Sequence, residues 1–87
     1  MGLRCTIRAQ YSVTSNVTVN VFINAHNPTT GWSASGDVTG TISSGSTSTS
    51  VSTTSIFGSH SISVTDEVIC TINTISPQSD STYDYTT

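Results

Sequence analysis

Two cysteines, two histidines and five acids are the side chains with the most chemistry to offer among these 87 residues. Cys5 and Cys70 are the whole thiol content, so they make one disulfide or remain two free thiols. His26 and His60 stand at no metal-site spacing from each other or from a cysteine. Asp80 and Asp84 flank Ser-Thr-Tyr without the pattern of a calcium loop. Gly31-Trp32-Ser33-Ala34-Ser35 comes nearest to a nucleophile elbow, but Ser35 stands where that turn needs glycine. A domain of this size leaves little room for a sheltered pocket. The expectation is a protein that is not an enzyme and uses neither cofactor nor metal. Trp32 is either a ring for stacking on a sugar or an anchor that folds its loop over the open end of the fold. Tyr83 and Tyr85 carry the same two readings for a glycan or protein contact.

The elements that would hold these residues are legible from composition. Val and Ile together number 16 against one Leu and one Met, and 17 threonines add further β-branched positions. Such side chains fit a pleated sheet and lose rotamer freedom in helices. The chain is therefore read as all-β and short enough for one domain, residues 1–87. Arg4 and Arg8 are the only strong bases, and the net charge is −3. Nucleic-acid binding is not expected, because phosphate neutralisation needs clustered Lys or Arg. No segment approaches the ~20 apolar residues of a membrane span.

Parity along the chain places the strands. Leu3, Cys5, Ile7, Ala9, Tyr11 and Val13 form one inward row, and Val17, Val19, Val21 and Ile23 a second. Asn24 to Gly36, with Pro28 and Trp32, reads as a long irregular loop. Val38, Gly40 and Ile42 make a third strand, Ser44-Gly45 a turn. Thr47, Thr49, Val51 and Thr53 then alternate with Ser46, Ser48, Ser50 and Ser52. This run is expected to return as a hairpin strand with a serine face outside. Ile62 and Val64 form the next strand. Thr65-Asp66-Glu67 turns into Val68, Cys70 and Ile72, and Ser76-Pro77-Gln78 closes that strand. Tyr83 and Tyr85 alternate in a last one, although Asp80–Thr87 also reads as an arm. About seven short strands with turns every 8–12 residues predict an antiparallel sandwich of immunoglobulin-like type, or else a small barrel or jelly roll.

Within that layout Cys5 and Cys70 point inward from different strands. An antibody-like bridge would join the second and sixth strands with a tryptophan on the third, and Cys5 comes one strand too early for it. Met1 to Val13 shows no secretory signal, which favours free thiols over a bridge. Met-Gly-Leu-Arg-Cys-Thr at the start matches a myristoylation pattern on Gly2, but a first strand needing Cys5 inside makes this a chance match. Asn16-Val17-Thr18 is a glycosylation sequon that matters only on a secretory route. The runs Val17–Ile23 and Ser46–Thr53 carry no charge, whereas monomers usually guard sheet edges with lysine, proline or inward charges. Either these edges are covered within the fold or they meet neighbours in an assembly, and the absence of any lysine favours a subunit that packs into something larger.

Thr41-Ile42-Ser43-Ser44-Gly45-Ser46-Thr47 and the Ser/Thr/Val run after it resemble the Ile-x-x-Gly-Ser-Thr hairpin of immunoglobulin-like and calx-β-like modules on bacterial surfaces and phage particles. The wider layout resembles the small immunoglobulin-like auxiliary (decoration) capsid proteins of crAss-like phages of gut Bacteroidetes. That resemblance implies a virion protein on the capsid exterior, made in the host cytoplasm without a signal peptide, with the major capsid protein or other virion proteins as partners and glycans as further ligands. It carries over no functional residue. A free-standing glycan- or protein-binding module and a pilus or filament subunit are the alternatives.

Overall fold

A computed structural model describes residues 4–77 and 82–87. Leu3 of the first inward row, Gly2 of the acylation pattern, Gln78 of the closing turn and Asp80 lie outside them. Six strands and one helical turn follow in order: β1 (Arg4–Ala9), β2 (Val17–His26), β3 (Ser33–Ile42), β4 (Ser48–Ser52), α1 (Thr54–Phe57), β5 (Glu67–Ser76) and β6 (Tyr83–Thr86). They form two three-stranded antiparallel sheets, ordered β4-β1-β6 and β3-β2-β5. One apolar core, fed by the inner faces of both, lies between them.

The second inward row is the spine of this core. Val17, Val19, Val21, Ile23 and Ala25 are all buried, and β2 is paired along its length by β3 on one side and β5 on the other. β1 does the same for its sheet through Cys5, Ile7 and Ala9. It stops at Ala9, so Tyr11 leaves the expected row and is exposed, while Val13 turns back and is buried.

Four further expectations are corrected. First, Asn24–Gly36 is mostly strand: β2 runs to His26 and β3 starts at Ser33, leaving only Asn27–Trp32 to turn. Asn27 compresses that turn. Its Oδ1 accepts the Thr29 and Thr30 N–H groups at 2.9 and 3.0 Å, and Gly31 supplies a φ of +78°. Second, Ile62–Val64 is not a strand. Ile62 is buried from an irregular segment, and Val64 is 90% exposed. Six strands are therefore present among the described residues, not seven. Third, β3 and β4 are not a hydrogen-bonded hairpin, since they belong to different sheets. The Ser44-Gly45 turn is an inter-sheet corner. It is stitched to the β1–β2 connection by Val13 N–H to Ser46 O (3.0 Å), Gly45 N–H to Val13 O (2.8 Å) and Ser44 N–H to Asn16 Oδ1 (2.9 Å). Fourth, the inward row of β5 shifts parity. Asn20 opposes Thr74 but Val21 opposes Ile72, so Asn73 is an extra, bulged residue and Ile75 joins the row.

The sorting of the serine-rich run holds. Val51 and Thr53 are buried and Thr49 is partly so, while Ser46, Ser48, Ser50 and Ser52 are exposed; Thr47 is exposed too. β3 admits β4 because its inward positions include glycine. A Cβ on Gly40 would lie 2.9 Å from Val51 Cγ1 and 3.3 Å from Thr49 Cγ2, whereas one on Gly36 would meet Ile56 at an ordinary 3.5 Å. We expect Gly40→Ala to lower unfolding free energy by about 1–3 kcal/mol through overpacking. Gly36→Ala should stay within about 1 kcal/mol of the parent in urea denaturation. Equal costs at the two positions would contradict this packing.

Candidate functional site

The densest set of polar contacts lies where the β2–β3 turn meets the segment between α1 and β5. Asn27, itself buried, donates from Nδ2 to Thr65 Oγ1 (3.1 Å) and to Asp66 Oδ1 (2.8 Å). Asp66 Oδ2 accepts the Ser63 N–H at 2.9 Å and the His60 Nε2–H at 2.9 Å. The side chain of Asp66 has no accessible surface of its own. It is shielded by its own loop near the periphery rather than sunk in the core, so hydrogen bonding outweighs desolvation. The Ser63 N–H, then Asn27, then His60 hold its carboxyl down to about 2.

Trp32 joins the same cluster. The His60 ring stacks on the indole with centroids 3.6 Å apart and planes 8° from parallel, and Phe57 meets it edge-on at 5.4 Å. One indole face is thus covered by imidazole, as in a loop anchor; a sugar stacking on Trp32 would use what remains. His60 and Asp66 match two members of a serine–histidine–aspartate relay by residue type only. Ser63 Oγ, in the same loop, pairs with Thr65 Oγ1 at 2.9 Å, and Ser63 spends its N–H on the carboxylate. The arrangement is built to clamp two loops. His26 and Glu67 form a separate exposed contact at 3.0 Å alongside.

The aromatic candidates do not converge. Tyr83 opposes Ala9 in the sheet, and the Ala9 N–H bonds Thr47 O at the Ser44-Gly45 end. Trp32 packs with Phe57 and His60 at the end formed by α1. Tyr83 packs against the core, and Tyr85, opposite Ile7, is 41% exposed. Cys5 and Cys70 are free thiols, each fully buried, one per sheet. A shallow open depression lined by Arg8, Ala9, Gln10, Thr82 and Asp84 lies between β1 and β6. No group of three or more metal-ligating side chains occurs among the described residues, and no helix there is long and apolar enough to cross a membrane.

A second surface escapes sequence reasoning. The outer face of β3-β2-β5 carries half-buried Phe22, whose direct cross-strand neighbours are Asp37 and Thr71. Beside it, Asn73 Nδ2 donates to Asn20 Oδ1 (3.1 Å) and Asp37 Oδ1 (3.4 Å), and Asn20 Nδ2 reaches Thr39 Oγ1 at 3.5 Å. Ile69, exposed, stands opposite Asn24 one row away. Parity marks Phe22 as outward, but only the pairing register and the Asn73 bulge bring these amides together. Asn27 has a clearer signal, since Asn-Pro favours turn initiation.

Comparison with family models, with curated proteins and with solved structures found no match to this chain.

The Asp66 clamp has a pH signature. Its carboxyl is depressed from 3.8 to about 2, so its contribution to folding is complete above 3.8 and is lost as pH falls through 2. We expect Asp66→Asn to be less stable than the parent at pH 6, with the gap narrowing steadily below pH 4 in thermal melts. A gap independent of pH would show that the carboxylate charge is not what holds the clamp.

Proposed function

We propose that this chain is a non-enzymatic structural subunit of a virion, an auxiliary or decoration protein carried in many copies on the outer surface of a phage capsid. Immunoglobulin-like character and the major capsid protein, or another virion protein, as partner belong to this proposal. One observation carries it. β3 and β5, ten residues each, form the two margins of their sheet, each with a single strand partner. Along them the only charged side chains are Asp37 and Glu67. Long edges with so little guarding charge are a template for lateral association. A chain kept at work as a free monomer would be selected against them.

The outward serines of β4 support the same reading. They give a neutral hydroxyl surface, and Thr6 Oγ1 pairs with Ser50 Oγ across it at 3.2 Å. Such a surface suits display to solvent beside an assembly contact elsewhere. The test is quantitative mass spectrometry of phage particles purified from the source of this sequence. The chain should copurify at a fixed ratio to the major capsid protein. Absence from purified particles, together with a stable monomer in solution, overturns the proposal, and spontaneous polymerisation of the purified chain would point to a filament subunit instead.

A free-standing glycan-binding module is the second reading, favoured by Phe22 and its frame of Asn20, Asn73 and Asp37. A half-buried ring on an outer sheet face, flanked by planar hydrogen-bonding groups, matches the apolar face and equatorial hydroxyls of a sugar. On a glycan array, that reading expects binding lost in Phe22→Ala and kept in Tyr85→Ala. Loss with Trp32→Ala alone would move the site to the loop cluster, and a blank array removes the reading.

A further inference from the structure

Of the two long margins, β5 is the one suited to pairing with itself. A two-fold antiparallel pairing keeps inner and outer faces continuous only when residues of like parity oppose each other. β3 carries Asp37 near its middle. In the registers with most overlap, Asp37 would meet Asp37 of a second copy directly or on the diagonal, and like charges so placed repel. On β5 the one charged residue is Glu67, at the first position, and it already contacts His26 at 3.0 Å. The next outer residue along β5 is Ile69, 56% exposed. It lies diagonal to Phe22, which pairs with Thr71, so an apolar strip runs from the middle of the sheet to its edge.

We propose that the β5 margin binds a second copy of this chain in a two-fold antiparallel joint centred on Ile69, merging two three-stranded sheets into one of six strands. Ile69 then faces Ile69 of the second copy, Glu67 faces its Thr71, and Val68 faces its Cys70. Outer residues meet outer ones and inner residues inner ones, so both faces run on across the joint. The two Glu67 side chains stand four residues apart along the strands, ~13 Å, beyond the ~10 Å screening length at 0.1 M salt. Each carboxylate is within reach of a Thr71 hydroxyl that donates to it. The joint ends at Ile72, because the Asn73 bulge turns the rest of β5 out of line.

The proposal deepens the display reading and rests on its argument from unguarded margins: β5 takes the second copy, and β3 is left for the larger assembly. An isologous joint closes on itself, so no β5 edge remains to propagate a fibre. With only residues 67–71 directly opposed, the contact is smaller than a standard interface. The dimer should therefore dissociate on the order of 10–100 µM.

The test is sedimentation equilibrium of the purified chain from about 10 µM to about 1 mM. A monomer–dimer equilibrium is expected. Ile69→Lys places two like charges directly opposite and should weaken the dimer on the order of 100-fold, whereas Ser35→Lys on the outer face of β3 should leave it intact. Ile69→Lys mixed with Ile69→Glu should restore a dimer, because the two-fold sets position 69 against itself. A monomer throughout the range, open-ended polymers, a dimer indifferent to Ile69→Lys or one lost in Ser35→Lys overturns the proposal. Should the Ile69 variants fail to fold, hydrogen exchange of the natural chain decides: amides of residues 67–72 should gain protection with concentration, and unchanged exchange there rejects the joint. The two readings fail separately. A monomer found on purified particles at a fixed ratio removes this joint alone, and a β5 dimer absent from particles removes the display reading alone.

Discussion

The alternation of β2 is the constraint on which the structure depends. Five inward side chains, Val17 through Ala25 at every second position, are almost wholly removed from water, and the strand is paired on both margins. A slip of one residue would turn that whole row to solvent. Register is therefore set firmly at β2, and β3 and β5 inherit it. The same constraint leaves β3 and β5 at the margins, and so determines which backbone edges a partner could meet.

A core of valine and isoleucine in so short a chain leaves both ends of the sandwich to be closed by polar groups. At one end the chain passes between sheets twice, and backbone bonds among Val13, Ser43, Gly45 and Ser46 join the two passages. At the other, Asn27 and Asp66 clamp the β2–β3 turn to the segment before β5 while Trp32, Phe57 and His60 fill the opening. α1 is a single turn and too short to persist alone. It is held because Phe57 is buried and Ile56 lies against Gly36.

Where the apolar pattern is strict, it is legible. The rows of β2 and of Thr49, Val51 and Thr53 can be read because inward and outward residues differ in kind at each step. Asn24–Gly36 reads as a loop because Pro28 and Trp32 interrupt it, and Ala25, Ala34 and Gly36, which lie inside a regular ladder, are too small to mark a face against that signal. Ile62 and Val64 look like alternation, yet the Asp66 hydrogen bonds hold that segment in a turn and send Val64 to solvent. The sheet that β4 joins is not written in its own residues, because pairing with β1 rather than β3 is decided by long-range packing. For the candidate site, Trp32 is visible by type and Asn27 by its proline neighbour. The Phe22 face requires the bulge at Asn73, which leaves no local mark beyond the uneven step from Ile72 to Ile75.

Two long, sparsely charged margins on one sheet, beside a hydroxyl-covered surface on the other, carry the proposed reading, in which these margins would be where the chain meets its assembly. Amide hydrogen exchange of the chain, free and on purified particles, addresses that most directly. Amides of β3 or β5 should become strongly protected on the particle while those of β4 exchange as in the free chain. Unchanged exchange along both β3 and β5 in a particle-bound chain would contradict it.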